Sequence, residues 1–251
     1  MNNDYYLNIQ CWNNTRKICE EENLMPHKSL KLSFDKNFKY NKKYKKSNIK
    51  IFNMDTIKFS VLHCHNPLVL NLADNNRPGG CVDSGSRAQE ESLFRRTNYY
   101  LTLKQELYPI HFNEAIYSPS VTVIKTSKFS GFKLIPKNHR PKLSFIACPG
   151  IKYPVVTNNQ LNENDTEILI NKIKLIIQIA IKYNHDTIVF GALGCGAWRC
   201  PSEYVAKVFK KVLNEYDGCI KNYYFAILKT KADFNNDKHY HNYDVFKKIL
   251  E

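Results

Sequence analysis

A chain of 251 residues with 43% hydrophobic and 24% charged residues has the make-up of a globular protein large enough for a full core, not of a low-complexity segment. No run approaches the roughly 20 apolar residues of a membrane helix, and the opening MNNDYYLNIQCWNN lacks the basic and apolar regions of a signal peptide. A formal charge of +14 points to an anionic partner.

In chain order, the first predicted element is a helix over Thr15–Glu22. Lys36–Lys50 follows, with seven lysines and no acid. Its plain reading is a solvated, lysine-rich loop, poorly ordered over Lys36–Asn48; its sharper one is an electrostatic landing site for nucleic acid or a polyanionic substrate, with Tyr40 and Tyr44 among the lysines keeping nucleic acid in view. Strands are predicted at Ile49–Phe52 and Leu68–Leu72, a helix at Ala88–Leu101, and strands at Ser120–Ile124 and Leu143–Cys148. A helix over Asp165–Tyr183 has Asn164 as its expected cap, with Glu167 completing a capping box. Then come a strand at Thr187–Phe190, a helix at Ser202–Tyr216 behind Pro201, a strand at Tyr223–Leu228 and a helix at Asp244–Leu250. Phe129–Arg140 and Tyr153–Asn164 read as surface loops. The alternation predicts a single α/β domain over residues 1–251, with a helical extension and basic loop in about the first 50, and functional loops at strand carboxyl ends. Eight unpaired-looking cysteines suit reduced thiols in a cytoplasmic or nuclear compartment. No heptads or apolar stripe call for an obligate assembly, so a monomer is expected.

Two strand–glycine loop–helix units carry the chemistry. Pro78-Gly79-Gly80-Cys81 follows the second strand, and Gly191-Ala-Leu-Gly194-Cys195-Gly196-Ala197-Trp198 follows the strand at Thr187–Phe190. Each can bring backbone N–H groups against phosphate. After the first loop, Gln89-Glu90-Glu91 opens a helix and places an acid beside the bound group. Ser86-x-x-Gln89 is also a capping box, and two acids suit any helix start. Cys195 reads as a small loop residue, not a nucleophile. His63-Cys64-His65 in an extended segment would point its histidines away from its cysteine, which argues against a metal site. No cofactor is called for.

Gly79-Gly80-Cys81, seven residues, then Gln89-Glu90-Glu91 resembles the signature of poly(ADP-ribose) glycohydrolases, a triple-glycine loop followed by QEE. The flanking text resembles the microbial-type branch: Ala88 to Leu93 with Arg95 or Arg96 after, Tyr117-Ser118-Pro119-Ser120-Val121, Gly191-Ala192 and Gly194-Cys195-Gly196, and Phe225-Ala226-Ile227. The resemblance implies a macrodomain-like three-layer α/β/α sandwich with a mixed central sheet. It implies hydrolysis of ribose–ribose bonds in poly(ADP-ribose), with Glu91 as acid/base and Glu90 fixing ribose hydroxyls. Gly79, Gly80 and Cys81 would meet diphosphate and distal ribose, and Gly194, Cys195 and Gly196 would form the opposite phosphate loop. Gln89 and Trp198 join the substrate positions, Trp198 standing where this branch usually has Phe. Cys81 departs from the third glycine. If that position needs positive φ, cysteine costs about 1–2 kcal/mol, and Cys81→Gly would raise turnover.

Independently of family, glycoside cleavage needs a proton for the leaving oxygen. Adjacent helical residues diverge by about 100° and cannot straddle one bond, so a single working glutamate is expected, with Asp74 or Asp83 as the alternative second acid. The competing readings are an ADP-ribose-binding protein without turnover and a basic nucleic-acid-binding protein.

Overall fold

The computed structural model of the chain describes residues 3–229 and 242–251. Nine strands and six α-helices are placed among them: α1 (Asn3–Glu21), β1 (Leu30–Ser33), β2 (Asn48–Phe52), α2 (Thr56–His63), β3 (Pro67–Asn71), α3 (Gln89–Arg96), β4 (Glu114–Thr122), β5 (Lys142–Ala147), β6 (Val156–Thr157), β7 (Gln160–Leu161), α4 (Glu163–Lys182), β8 (Thr187–Phe190), α5 (Ser202–Glu215), β9 (Asn222–Ala226) and α6 (Asn242–Leu250). β6 and β7 form a separate hairpin; the rest make one mixed sheet in the order β1-β4-β5-β3-β8-β9-β2. β4 runs antiparallel to both neighbours, whereas β5, β3, β8, β9 and β2 are mutually parallel. Their carboxyl ends therefore share one edge of the sheet.

Strand periodicity divides the core into two layers. Leu68 and Leu70 face a cluster with Ile173 and Ile176 of α4, Phe209 of α5 and Phe246 of α6. Val69, between them, faces the other side with Trp12 of α1, Ile57 of α2 and Phe94 of α3. β3 is buried at every position, as a central parallel strand covered on both faces must be. The three layers are those of the expected sandwich.

The first 50 residues are more than an extension. α1 packs on α3, Thr15 Oγ1 donating to the Arg95 carbonyl, and β1 and β2 close the two edges of the sheet. Lys36–Asn48, expected as poorly ordered, is fastened: the N–H groups of Lys43 and Tyr44 both bond the Gly218 carbonyl, and Tyr40 stacks on Tyr216 at 4.5 Å. The cap of α4 also moves. Asn162, not Asn164, precedes the helix and accepts from the Asp165 N–H at 2.8 Å. Asn162→Ala is expected to lower stability by about 1 kcal/mol, read from denaturant midpoints, while Asn164→Ala inside the first turn leaves it unchanged or raises it.

Candidate active site

β3 delivers the site. Its last residue, Asn71, leads into a tight turn in which Asp74 Oδ1 accepts from the Asn76 and Arg77 N–H groups. The chain then passes Gly79 and Gly80 at φ +75° and +55°. These glycines are required twice over. A Cβ on Gly79 would lie 2.6 Å from the Phe94 ring, and one on Gly80 would lie 2.7 Å from Glu91 Oε1. So the loop is pressed onto the start of α3, and both glutamates are buried beneath it, Glu90 at 3% exposure and Glu91 at 6%.

The two carboxyls are held differently. Glu90 accepts from three N–H groups: Asn71 Nδ2 and the Gly79 N–H at Oε1, both at 3.2 Å, and the Asp74 N–H at Oε2, at 2.7 Å. Burial pushes its pKa up to about 8 against the pull of those donors. Glu91 has one anchor, the Cys81 N–H on Oε1 at 3.0 Å, and its Oε2 is buried without a partner. An orphan carboxyl oxygen in the interior is costly unless something uses it.

These bonds revise the expected role of the first loop. The N–H groups of Gly79 and Cys81 point at glutamates, not outward, which leaves only the Gly80 N–H without a partner among the described residues. Gln89 is likewise engaged: its amide donates to the Leu70 carbonyl and accepts from the Leu72 N–H, stapling α3 to the end of β3. Its side chain lines the cleft, but its polar atoms face the strand. The helix begins at Ala88 without a side-chain cap, so Ser86-x-x-Gln89 is not a capping box.

Cys81 sits at φ −108°, a conformation open to any residue. The strain expected of a non-glycine there is absent, and the exposed thiol instead receives a bond from Arg77 Nη2 at 2.9 Å. Cys81→Gly is therefore expected to leave kcat within about threefold and to lower stability by about 0.5–1 kcal/mol through added chain entropy. A tenfold rise in turnover would show that the side chain itself obstructs substrate.

The second loop leaves β8, the strand beside β3, so both loops emerge from adjacent carboxyl ends. Gly191, Ala192 and Gly196 line a cleft of about 470 Å³ together with Leu72, Ala88, Gln89 and Ser92. That volume suits a small ligand. Met54, Asp55, Phe129 and Ile227 continue the lining. The N–H groups of Gly194 and Gly196 have no partner among the described residues, whereas that of Cys195 closes a turn on the Ala192 carbonyl. Cys195 is fully buried, and that burial raises its thiol pKa far above the ordinary range. Trp198 is half-buried beside Gly150, and Gly194 packs on Gly150 and Cys200; neither lines the cleft. Gly79, Gly80, Cys81, Glu90 and Glu91 form their own cluster, joined to the cleft through Leu72, Gln89 and Gly191.

Three supporting residues have no signal in the spacing: Asn71, which holds Glu90; Phe94, on which Gly79 rests; and Asp55. Asp55 caps α2 and accepts from the buried Arg96 at 2.8 Å, tying α3 to the cleft wall. The alternative second acids are otherwise occupied. Asp74 holds its own turn, and Asp83 accepts from Trp12 Nε1. His63 ends α2 against Phe59 and is not in an extended segment, and no group of three metal-binding side chains occurs among the described residues. No helix among them is long and apolar enough to cross a membrane.

Residues 7–126 match the family model of the microbial-type PARG (poly(ADP-ribose) glycohydrolase) catalytic domain. A search of curated proteins finds no match. Among solved structures, the fold is similar to poly(ADP-ribose) glycohydrolase from Thermomonospora curvata, with a TM-score of 0.78, 17% identity, and 96% of this chain and 98% of that one covered. The same enzyme bound to the inhibitor ADP-HPD matches with a TM-score of 0.76 at 18% identity, over 96% of this chain and 98% of that one. The Deinococcus radiodurans glycohydrolase in complex with ADP-ribose gives 0.71 at 20% identity, over 89% of this chain and 94% of that one.

Proposed function

We propose that this chain, whose residues 7–126 match the microbial-type poly(ADP-ribose) glycohydrolase catalytic domain, belongs to that family and hydrolyses ribose–ribose O-glycosidic bonds with Glu91 as its one acid/base. The observation that carries the assignment is the Glu91 carboxyl, with Oε1 fixed by the Cys81 N–H and Oε2 buried and unpartnered. A fixed carboxyl with one uncommitted oxygen is the arrangement a proton donor needs.

In the first step Glu91 gives its proton to the leaving ribose oxygen as the glycosidic C–O bond breaks, leaving an oxocarbenium-like sugar. Water then attacks that carbon, and Glu91 takes back a proton, so the enzyme is restored. Glu90, saturated by three donors, acts as the brace of the glycine loop. The commitment of Asp74 and Asp83 to structural bonds supports a design with one working carboxyl. Phosphate rests against the unpartnered N–H group of Gly196, which lines the cleft, and the cleft from Leu72 to Ile227 takes the remainder of an ADP-ribose unit. Partners on this reading are poly(ADP-ribose) and ADP-ribosylated macromolecules, with the chain acting as a monomer. Incubation with labelled polymer tests it: release of ADP-ribose supports hydrolysis, and retention of polymer without release would leave an ADP-ribose-binding protein.

A further inference from the structure

The most basic stretch of the sequence stays outside the site described above. All seven lysines between Lys36 and Lys50 are exposed, and none is in an ion pair among the described residues. The residues between them are turned the other way. Phe38, Tyr40 and Tyr44 are half-buried, and Ser47 is buried, donating to the Ile220 carbonyl. Nearby acids are occupied: Asp217 accepts from the Ser47 N–H, Asp35 from the Asn37 N–H, and Glu215 pairs with Lys174. The loop is thus a fixed ridge that holds its aromatics inward and its ammonium groups outward.

Topology places that ridge away from the cleft. It enters the amino end of β2 and is bonded to Gly218 and Lys221, just before the amino end of β9. The glutamates and both glycine loops lie at the carboxyl edge of the parallel strands. The two surfaces are separated by the length of a five-residue strand, about 15–20 Å.

We propose that the Lys36–Lys50 ridge is a docking surface for duplex nucleic acid, gripping backbone phosphates at the edge of the sheet opposite the glutamates. Lysines neutralise phosphates without reading bases. Proteins that bind single strands add exposed aromatic platforms, and here Tyr40 is spent on Tyr216. A duplex offers a dense line of phosphates with its bases stacked away, which matches a ridge of exposed cations, of which only Lys43 has a side-chain acceptor, Asn184 Oδ1 at 3.2 Å, among the described residues. Docked this way, the protein keeps its cleft facing outward. The inference does not rest on the catalytic assignment.

Fluorescence anisotropy with a labelled 30-base-pair random duplex tests it, in the full chain carrying Glu91→Gln so that any polymer competitor stays intact. Replacing Lys42, Lys43, Lys45 and Lys46 by Ala is expected to weaken binding at least tenfold at about 100 mM salt. The slope of log K against log salt should also fall by about 0.9 for each phosphate that is no longer neutralised. Replacing four exposed lysines elsewhere (Lys17, Lys104, Lys137 and Lys142) by Ala makes the same change in net charge and should move affinity less than threefold. Equal loss in both variants would assign the binding to diffuse charge and overturn the proposal, as would no duplex binding at 50 mM salt. Preference for poly(ADP-ribose) over duplex at equal phosphate concentration, abolished by the same lysine substitutions, would overturn the duplex assignment. In the chain with Glu91 restored, the ridge variant should cut a short ADP-ribose oligomer at the parent rate. Absence of hydrolysis in both parent and ridge variant would count against the catalytic reading alone, whereas loss in the ridge variant only would overturn the separation of ridge from cleft.

Discussion

Glu91→Gln is expected to slow release of ADP-ribose from poly(ADP-ribose) by about 10²- to 10⁴-fold, the usual worth of a positioned general acid/base. The substitution is nearly isosteric. The new amide oxygen can still accept from the Cys81 N–H, so the glycine loop keeps its anchor. What changes is the site of Oε2, where an NH₂ can neither deliver a proton to the departing sugar nor accept one from water. That NH₂ replaces an oxygen already buried without a partner, so folding stability should change by less than about 1 kcal/mol while the protein still binds ADP-ribose within a few-fold. Full activity in Glu91→Gln would end the one-glutamate mechanism. Asp83→Asn is the companion measurement. The amide oxygen it introduces can still accept from Trp12 Nε1 of α1, so this variant should keep both its fold and its rate. A rate loss matching that of Glu91→Gln would restore a two-carboxylate design.

The parts of this molecule that are legible in sequence are those where burial and periodicity agree. β3 reads as a continuous apolar run because it is covered on both faces. α4 reads as a helix because Leu169, Ile173, Ile176 and Ala180 recur at helical spacing on its buried face. α1 reads as helix only from Thr15 onward, although its buried positions, Asn8, Cys11, Trp12, Thr15, Ile18 and Cys19, keep the same rhythm. Most of them are polar or small, so the helical stripe does not look apolar. β1 is four residues long, and α2 hides its Asp55 cap between two short elements. The site divides similarly. Residue types at fixed spacing locate the glycine loop and the glutamates. Which way the amides point does not follow from spacing, because Gly79 and Cys81 N–H groups can serve a carboxylate as readily as a phosphate. The fold decides it, seating Gly79 on Phe94 and placing both carboxyls under the loop, where they accept from those N–H groups. The expected strain at Cys81 fails on a related point. A family preference for glycine does not establish positive φ, and this backbone does not adopt it there.

Glu90→Gln should change how stability depends on pH, and the sign separates two accounts of the brace. In the fold burial pushes the Glu90 pKa to about 8, against an ordinary 4.5 in the unfolded chain. Between those values the folded protein binds more protons at this site than the unfolded one does. Stability therefore falls as pH rises through that window, with a limiting slope of about 1.4 kcal/mol per unit and a total of a few kcal/mol. The penalty is absent below pH 4.5 and complete above 8. Removing the titrating group should remove this slope: near pH 5 Glu90→Gln is the less stable protein, since its NH₂ must face N–H donors from Asp74, Asn71 and Gly79. By pH 8 the gap should have narrowed by the same few kcal/mol, read from urea midpoints at each pH. If the gap stays constant, Glu90 is ionised throughout, and its three donors outweigh the cost of burying the charge. The glycine loop would then be held by a carboxylate in every protein molecule at neutral pH.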